Sequence, residues 1–294
     1  MKHTLTKNRI ILYLCIVLLL LLLYVVLISS KNRIEQFEKK DKIVVCFFGV
    51  VSRSIQYTHN NLKSNLINIL KKHYDVDIYT FNNNIEDEQI DGVTVKNNVA
   101  ILNSTFLEEE TQSFIDAIIN ENIKTEKIDV KMRGDYSKKN VTNSIRQMYA
   151  EEKIGNFLLN HTNDYKCAVV CGPDYYLLNN INLKHVTDSI NNTSSVYTTT
   201  VNDGQGFTNG FYIGSLLPLT KILKRYSILT QLLPTDKDYE FLLKRAFDIH
   251  HIHRLITDTT FVKIRANKII ARQGNMMKKK YNRAINTIED ELKK

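Results

Sequence analysis

Cysteine, proline and glycine are all scarce in this chain, at four, three and ten among 294 residues. So few cysteines exclude a small disulfide-stapled scaffold. So little proline and glycine exclude collagen-like, proline-rich and linker-dominated architectures. Several motifs are missing as well. There is no G-x-x-x-x-G-K-[ST] and no G-x-G-x-x-G, which removes the P-loop ATPases and the dinucleotide-binding enzymes. There is no C-x-x-C, no zinc-ligand spacing and no basic stripe interleaved with stacking aromatics, so nucleic acid is not an expected partner. His250, His251 and His253 lack a carboxylate framework and read as surface or packing histidines. Cys167 and Cys171 lie too far apart along one strand to bridge.

What the chain does have is 43% hydrophobic and 24% charged residues, enough to build a sizeable core. The apolar residues are concentrated at one end. Ile10 to Ile28 carries no charge, amide or glycine and, as a helix, reaches about 28 Å, close to the hydrocarbon thickness of a bilayer. Tyr13 and Tyr24 sit near its ends, where amphipathic rings favour the interface. A cleavable signal peptide is the competing reading; its apolar region is shorter, and Ile28-Ser29-Ser30 is a poor cleavage site. The expected plan is a tail at 1–9, a membrane anchor at 10–29, a polar stem at 30–41 and a folded domain at 42–294. Counting Lys2, Lys7 and Arg9 against Lys31, Arg33, Lys39, Lys40 and Lys42 puts the domain in the cytosol. Sequons at Asn103, Asn140, Asn160, Asn191 and Asn192 favour a lumen. The net charge of +9 is partly juxtamembrane and otherwise scattered, apart from Lys278-Lys279-Lys280, and suits a phosphate-bearing or anionic partner.

The domain opens with Ile43-Val44-Val45-Cys46-Phe47-Phe48, an unbroken apolar run ending in Gly49, as in a strand buried on both faces of a parallel sheet. Helical spacing follows over Asn60–Lys72, then a strand over Tyr74–Phe81, which makes a right-handed βαβ unit. The alternation continues with helices near Glu108–Ile119 and Thr142–Leu159 and a strand over Lys166–Cys171. Short strands follow at Ser195–Val201 and Gly210–Gly214, then helices at Leu219–Leu229 and Tyr239–Phe247. A strand at Phe261–Arg265 and a helix at Tyr281–Leu292 close the chain. The fold class is α/β, a single Rossmann-like mixed sheet flanked by helices and preceded by one membrane helix.

In such sheets ligands bind at the carboxyl ends of the strands. The first strand ends in Gly49-Val50-Val51-Ser52-Arg53, where a glycine allows close approach and Arg53 offers a fork of donors to phosphate. Asp77, on the second strand, offers an acceptor to a base or ribose, or else is a structural strand aspartate. The strand Lys166–Cys171 runs into Gly172-Pro173-Asp174-Tyr175-Tyr176, where Pro173 stops pairing and presents Asp174 on a stiff corner. A carboxylate there suits a divalent cation bridging phosphates, or a turn cap. Asn202-Asp203-Gly204-Gln205-Gly206-Phe207-Thr208-Asn209-Gly210-Phe211-Tyr212 combines loop-forming glycines, hydroxyl-binding amides and aromatic faces, or is an ordinary hairpin. Asp203 and Glu240 are both candidate general bases, and Glu240 also suits a helix N-terminus.

The order of an apolar strand with Gly and Arg, a strand with Asp-x-Asp at Asp75–Asp77, the helix Asn143–Glu151 and a strand ending Pro-Asp resembles the GT-A-fold glycosyltransferases. More narrowly it resembles their membrane-anchored relatives in large DNA viruses and bacteria. The resemblance covers Lys42 to Gln273. It implies a sugar nucleotide donor bound around Gly49, Arg53, Asp77, Arg146, Asp174 and Tyr176, with Mn²⁺ or Mg²⁺ on Asp174. It implies a glycan or protein acceptor near Asn209, Gly210 and Tyr212, and a type II anchor with a lumenal domain. Tyr176 stands where the last aspartate of the family's Asp-x-Asp motif belongs. Two other readings stay open: a lumenal sulfotransferase, against which Val50-Val51-Ser52-Arg53 lacks a lysine, and a non-catalytic membrane or virion protein on a degenerate transferase fold.

Overall fold

A computed structural model describes residues 16–26, 40–85, 89–132, 137–271 and 281–293. It divides into two units, 1–41 and 42–294. In the first, residues 16–26 form a helix with exposed apolar side chains. The expected membrane span is described only over that stretch; residues 10–15 and 27–28 lie outside the described residues, as does the stem up to residue 39. Among the described residues no helix is long and apolar enough to cross a membrane.

The second unit is built on a seven-stranded mixed sheet. Its first strand, β1 (Lys42–Gly49), is buried on both faces as the apolar run predicts. Side chains alternate across it: Val44, Cys46 and Phe48 enter one core, while Ile43, Val45 and Phe47 enter the other. Parallel β2 (Asp75–Asn84) pairs with β1 from Lys42 opposite Asp75 to Gly49 opposite Asn82. Between them, α1 runs as Ile55–Leu62, passes through a π turn at Lys63–Ile67 and finishes as Asn68–His73. A small hairpin, β3 (Gln89–Ile90) with β4 (Val93–Thr94), precedes β5 (Phe106–Thr111), which pairs parallel with β2.

The expected helix at Glu108 therefore starts later. Glu108 and Glu110 are strand residues held by Tyr79, Tyr149 and Lys153, and α2 (Gln112–Thr125) begins where the Thr111 side chain accepts the Phe114 amide. Helix α3 (Lys138–Asn160) leads into β6 (Cys167–Cys171), which pairs parallel with β1 on its other side, Phe47 opposite Cys171. The rest of the sheet consists of β8 (Ser195–Thr198), β9 (Phe211–Gly214) and β10 (His253–Ile256), and only β9 runs antiparallel to its neighbours. The spatial order is β10-β8-β9-β6-β1-β2-β5.

Helices α2, α3, α5 (Leu216–Leu223), α6 (Leu229–Leu232) and α7 (Tyr239–Ile249) supply side chains to one core. Helices α1, α4 (Leu183–Ile190) and α8 (Asn282–Lys293) supply the other. The strand expected at Phe261–Arg265 is not part of the main sheet. As β11 (Phe261–Ile264) it lies antiparallel between β7 (Tyr175–Leu177) and β12 (Ile270–Ala271) in a separate three-stranded sheet. Buried Asn61 joins α1 to that sheet by bonding both the Leu177 amide and carbonyl, at 2.7 and 3.0 Å.

Candidate functional site

The chain winds outward from β1 through β2 to β5, then returns through α3 to place β6 on the opposite side of β1. The carboxyl ends of β1 and β6 are thus the switch point of the sheet, where an open α/β fold leaves a crevice. Gly49 closes β1 there with φ +95°, and a Cβ added to it meets nothing within 4 Å, so the glycine is required by the backbone and opens on free space. The next residues form a 3-10 turn, Val51–Arg53, tied back to the sheet by the Val51 amide on Asn82 Oδ1 at 3.2 Å. Arg53 Nε is buried and has no hydrogen-bond partner among the described residues.

Beside it, the exit of β6 is pinned from three sides. Thr58 of α1 donates to the Pro173 carbonyl at 2.6 Å, the Gly172 amide donates to the Gly210 carbonyl at 2.9 Å, and the Ile264 amide donates to the Asp174 carbonyl at 2.8 Å. The Asp174 side chain is half-buried and makes no hydrogen bond or ion pair with a described residue. Gly49, Arg53 and Asp174 therefore share one rim of the sheet.

Other residues expected around a donor lie elsewhere or are already engaged. Asp77 is at the amino edge, opposite Val44 and about 16 Å along the strand from the level of Gly49. There it pairs with Lys42 at 2.9 Å and accepts from Tyr165 Oη at 2.7 Å. Burial opposes its ionisation, but these bonds outweigh that and hold its pKa below the usual carboxylate value. Its role is to clamp β1 and β2, not to line the crevice. Arg146 is engaged side-on by Asp116 of α2, with nitrogen to oxygen distances of 2.7 and 2.5 Å, and so ties α3 to α2. Tyr176 is on β7, and its hydroxyl reaches Glu291 of α8 at 3.0 Å. Its neighbour Tyr175 points the other way, stacked on Phe261 at 3.8 Å and donating to the Asn209 carbonyl.

The loop at 202–210 also lies on the carboxyl edge, between the end of β8 and the start of antiparallel β9. It is fixed to α7. The Asp238 side chain caps that helix through the Phe241 amide and also takes the Gln205 amide at 3.0 Å. The Glu240 carbonyl accepts the Phe207 amide at 3.0 Å, and a Cβ at Gly206 would sit 2.0 Å from that carbonyl oxygen. Asp203 accepts from Thr208 Oγ1 at 2.8 Å and pairs with Arg254 at 2.7 Å, whose guanidinium lies 4.2 Å over Phe207. These contacts make Asp203 the internal pin of the loop.

Under the loop is a cavity of about 40 Å³ whose polar lining includes Gln147, Asn202, Asn209, Glu240 and Lys263. Glu240 Oε1 accepts from the Asn202 amide nitrogen at 2.9 Å. Burial raises the Glu240 pKa above the usual carboxylate value. Tyr212, expected at an acceptor surface, is instead fully buried. It accepts the Gly210 amide at 2.9 Å and donates to Glu151 at 3.2 Å. Gly210 is buried as well, with φ +85° and the Tyr175 hydroxyl where its Cβ would be.

Bonded to two of the lining residues, Gln147 and Asn209, is a buried group that sequence reasoning missed. Glu151 of α3 and Arg225 are both 0% exposed and form an ion pair, with Gln147 donating to Glu151 at 2.9 Å and Arg225 Nη1 donating to Asn209 Oδ1 at 2.8 Å. A signal for Glu151 exists: Val141, Ser144, Ile145, Met148, Ile154 and Leu158 are the buried stripe of α3, and Glu151 falls on that stripe. Nothing comparable marks Arg225.

No family model matches the chain, and no curated protein matches it. Among solved structures it is similar to the apo form of mouse xyloside xylosyltransferase 1. The identity is 10%, the match covers 74% of this chain and 85% of that one, and the TM-score is 0.42.

Which groups could hold a metal is a narrower question. Among the described residues no three His, Cys, Asp or Glu side chains converge. Asp174 offers one carboxylate, the kind of single protein ligand Mg²⁺ accepts when water and substrate phosphates complete its shell.

Proposed function

We propose that this chain is a glycosyltransferase that moves a sugar from a nucleotide-sugar donor to a hydroxyl of a glycan or protein acceptor. The observation that carries the reading is the shared rim: a buried Arg53 Nε and an Asp174 carboxylate, neither with a partner among the described residues, at the switch point where Gly49 opens a crevice. A guanidinium there suits a diphosphate, which is anionic, doubly forked and needs donors. The groups on the neighbouring loop suit a polyol. In the transfer, the acceptor oxygen forms a bond to the anomeric carbon while the bond from that carbon to the diphosphate oxygen breaks. The electron pair leaves on the diphosphate, and the acceptor proton passes to a carboxylate. Asp203 is committed to Arg254 and Thr208, which sets it apart from that role. Asp174 is the residue that would hold a divalent cation, which would supply charge neutralisation on the leaving diphosphate.

The anchor at 10–28, with domain 42–294 on the lumenal side, belongs to the same reading. One observation favours the alternative of a non-catalytic protein on this scaffold: Tyr176, at the second acidic position, is bound to α8. The test is calorimetric binding of uridine and guanosine diphosphates and their sugars to the full chain in detergent, with Mg²⁺ or Mn²⁺. Arg53→Met is expected to weaken diphosphate binding at least tenfold, and Asp174→Asn to remove its dependence on the cation. Wild-type protein that binds none of these compounds ends the transferase reading.

A further inference from the structure

The cavity below the loop at 202–210 has a lining whose hydrogen-bonding polarity is fixed. Arg225 is fully buried, and a guanidinium can only donate, so the oxygen of the Asn209 amide must face it. The NH₂ end is thereby left on the other side. Asn209 is only 6% exposed, and its Nδ2 has no hydrogen-bond partner among the described residues. Arg225 in turn cannot rotate away, because Glu151 holds its other nitrogen and Tyr239 lies against it, with the guanidinium carbon 5.4 Å from the ring centroid. The donor at Asn209 is therefore built in and unmet.

A second wall of the same cavity has the opposite character. Glu240 gives Oε1 to Asn202, which leaves its second oxygen as an acceptor, and the loop carrying Asn202 cannot slide because it is fixed to α7. On a cavity of about 40 Å³, room for a small group such as a hydroxyl or hydroxymethyl, Asn209 thus puts a rigid unmet donor on one wall and Glu240 an acceptor on another, with Gln147, Asn202 and Lys263 completing the polar lining. A hydroxyl is the small group that satisfies both, since it accepts from Asn209 while donating its proton to Glu240.

We propose that this cavity is a subsite for one exocyclic hydroxyl or hydroxymethyl group of the sugar carried by the donor, read by Asn209 as donor and Glu240 as acceptor. This inference rests on the nucleotide-sugar reading above and adds to it a residue pair that recognises the sugar rather than the diphosphate. It separates the site into two parts that single substitutions distinguish: Arg53 with Asp174 for the diphosphate, and Asn209 with Glu240 for the sugar.

The experiment measures Kd on the full chain in detergent for paired probes, uridine diphosphate against its glucose conjugate and guanosine diphosphate against its mannose conjugate. For the wild type, at least one conjugate is expected to bind about tenfold or more tighter than its diphosphate. Asn209→Asp keeps the acceptor that Arg225 requires and replaces the inward donor by a second carboxylate oxygen. One hydroxyl proton cannot serve two carboxylates, so the tenfold preference is expected to vanish while diphosphate affinity stays within twofold. Glu240→Gln, which can still accept from Asn202 and then turns its NH₂ inward, is expected to do the same and guards against misfolding of the first variant. Arg53→Met is expected to weaken both members of each pair. Preference retained in both variants overturns the subsite, as does a wild type that binds diphosphates without any preference for their conjugates; either result leaves the diphosphate site standing. Wild-type binding of no probe overturns the transferase reading and the subsite together.

Discussion

Gly49 and Gly210 share a backbone conformation and differ in what surrounds them, so alanine at each position measures a different quantity. Both have positive φ, +95° and +85°, where an L side chain is strained by about 1–2 kcal/mol. At Gly49 an added Cβ meets nothing within 4 Å, so strain is the whole cost and the reduced freedom of the unfolded chain offsets about 0.4–1 kcal/mol of it. The net loss expected for Gly49→Ala is about 1 kcal/mol. At Gly210 the new carbon would lie 2.2 Å from the Tyr175 hydroxyl. That ring is 2% exposed, stacked on Phe261, and donates to the Asn209 carbonyl at 2.7 Å, so it has no free direction in which to retreat. Overpacking adds about 1–3 kcal/mol and the disturbed hydrogen bond about 1 kcal/mol more, for an expected total of about 3–5 kcal/mol. Urea unfolding followed by near-ultraviolet dichroism on the full chain reads both values. The functional outcome should be reversed: Gly49→Ala fills the crevice and weakens diphosphate binding, although it costs little stability. Equal destabilisation by the two alanines would refute the argument, and so would full diphosphate affinity in Gly49→Ala.

Removing one partner of the Glu151–Arg225 pair strands a charge in a site with no water access, so Arg225→Met is expected to cost about 3–5 kcal/mol, and the double variant Glu151→Met with Arg225→Met clearly less; denaturant midpoints of the three proteins check this. Glu240 has a folded pKa raised above its unfolded value by burial, so the folded state binds the proton more tightly and stability falls as pH rises from about 4.5 through the raised value. Glu240→Gln should flatten that limb of a stability-against-pH curve, and an unchanged slope would remove Glu240 from the buried cavity wall. Asp77 has the opposite sign: its depressed pKa contributes stability above the unfolded value of 3.8 that is lost as pH falls through the folded one. Asp77→Asn should therefore lose at most about 1 kcal/mol near neutrality and show a shallower acid limb in the same measurement, with diphosphate binding unchanged.

Local pattern made much of this architecture readable. The run Ile43–Phe48 is apolar at every position because both faces of β1 are covered, and Cys167–Cys171 is the same case one strand over. Helix α3 carries its stripe at a period of three to four, and Gly49 and Asp174 are strand-end residues at the two positions where the sheet's winding reverses. Glu108-Glu109-Glu110 suits a helix by propensity, and the expected helix starts there, whereas the structure keeps these residues in the strand Phe106–Thr111. Its carboxylates instead meet Tyr79, Tyr149 and Lys153, partners that arrive from distant parts of the chain.

Composition and periodicity determined the α/β class, the buried central strands and the rim that bears Gly49, Arg53 and Asp174, since burial of a strand end and the residue leaving it are properties of neighbours in sequence. Only the tertiary structure decided which polar residues work together. Asp77 and Gly49 share a βαβ unit but sit at opposite ends of the sheet, because register fixes the level of each residue and a motif does not. Arg225, Glu151 and Asn209 are far apart in sequence and acquire a joint role when folding removes water from all three. A guanidinium then has to choose its acceptors, and that choice orients the amide beneath the loop.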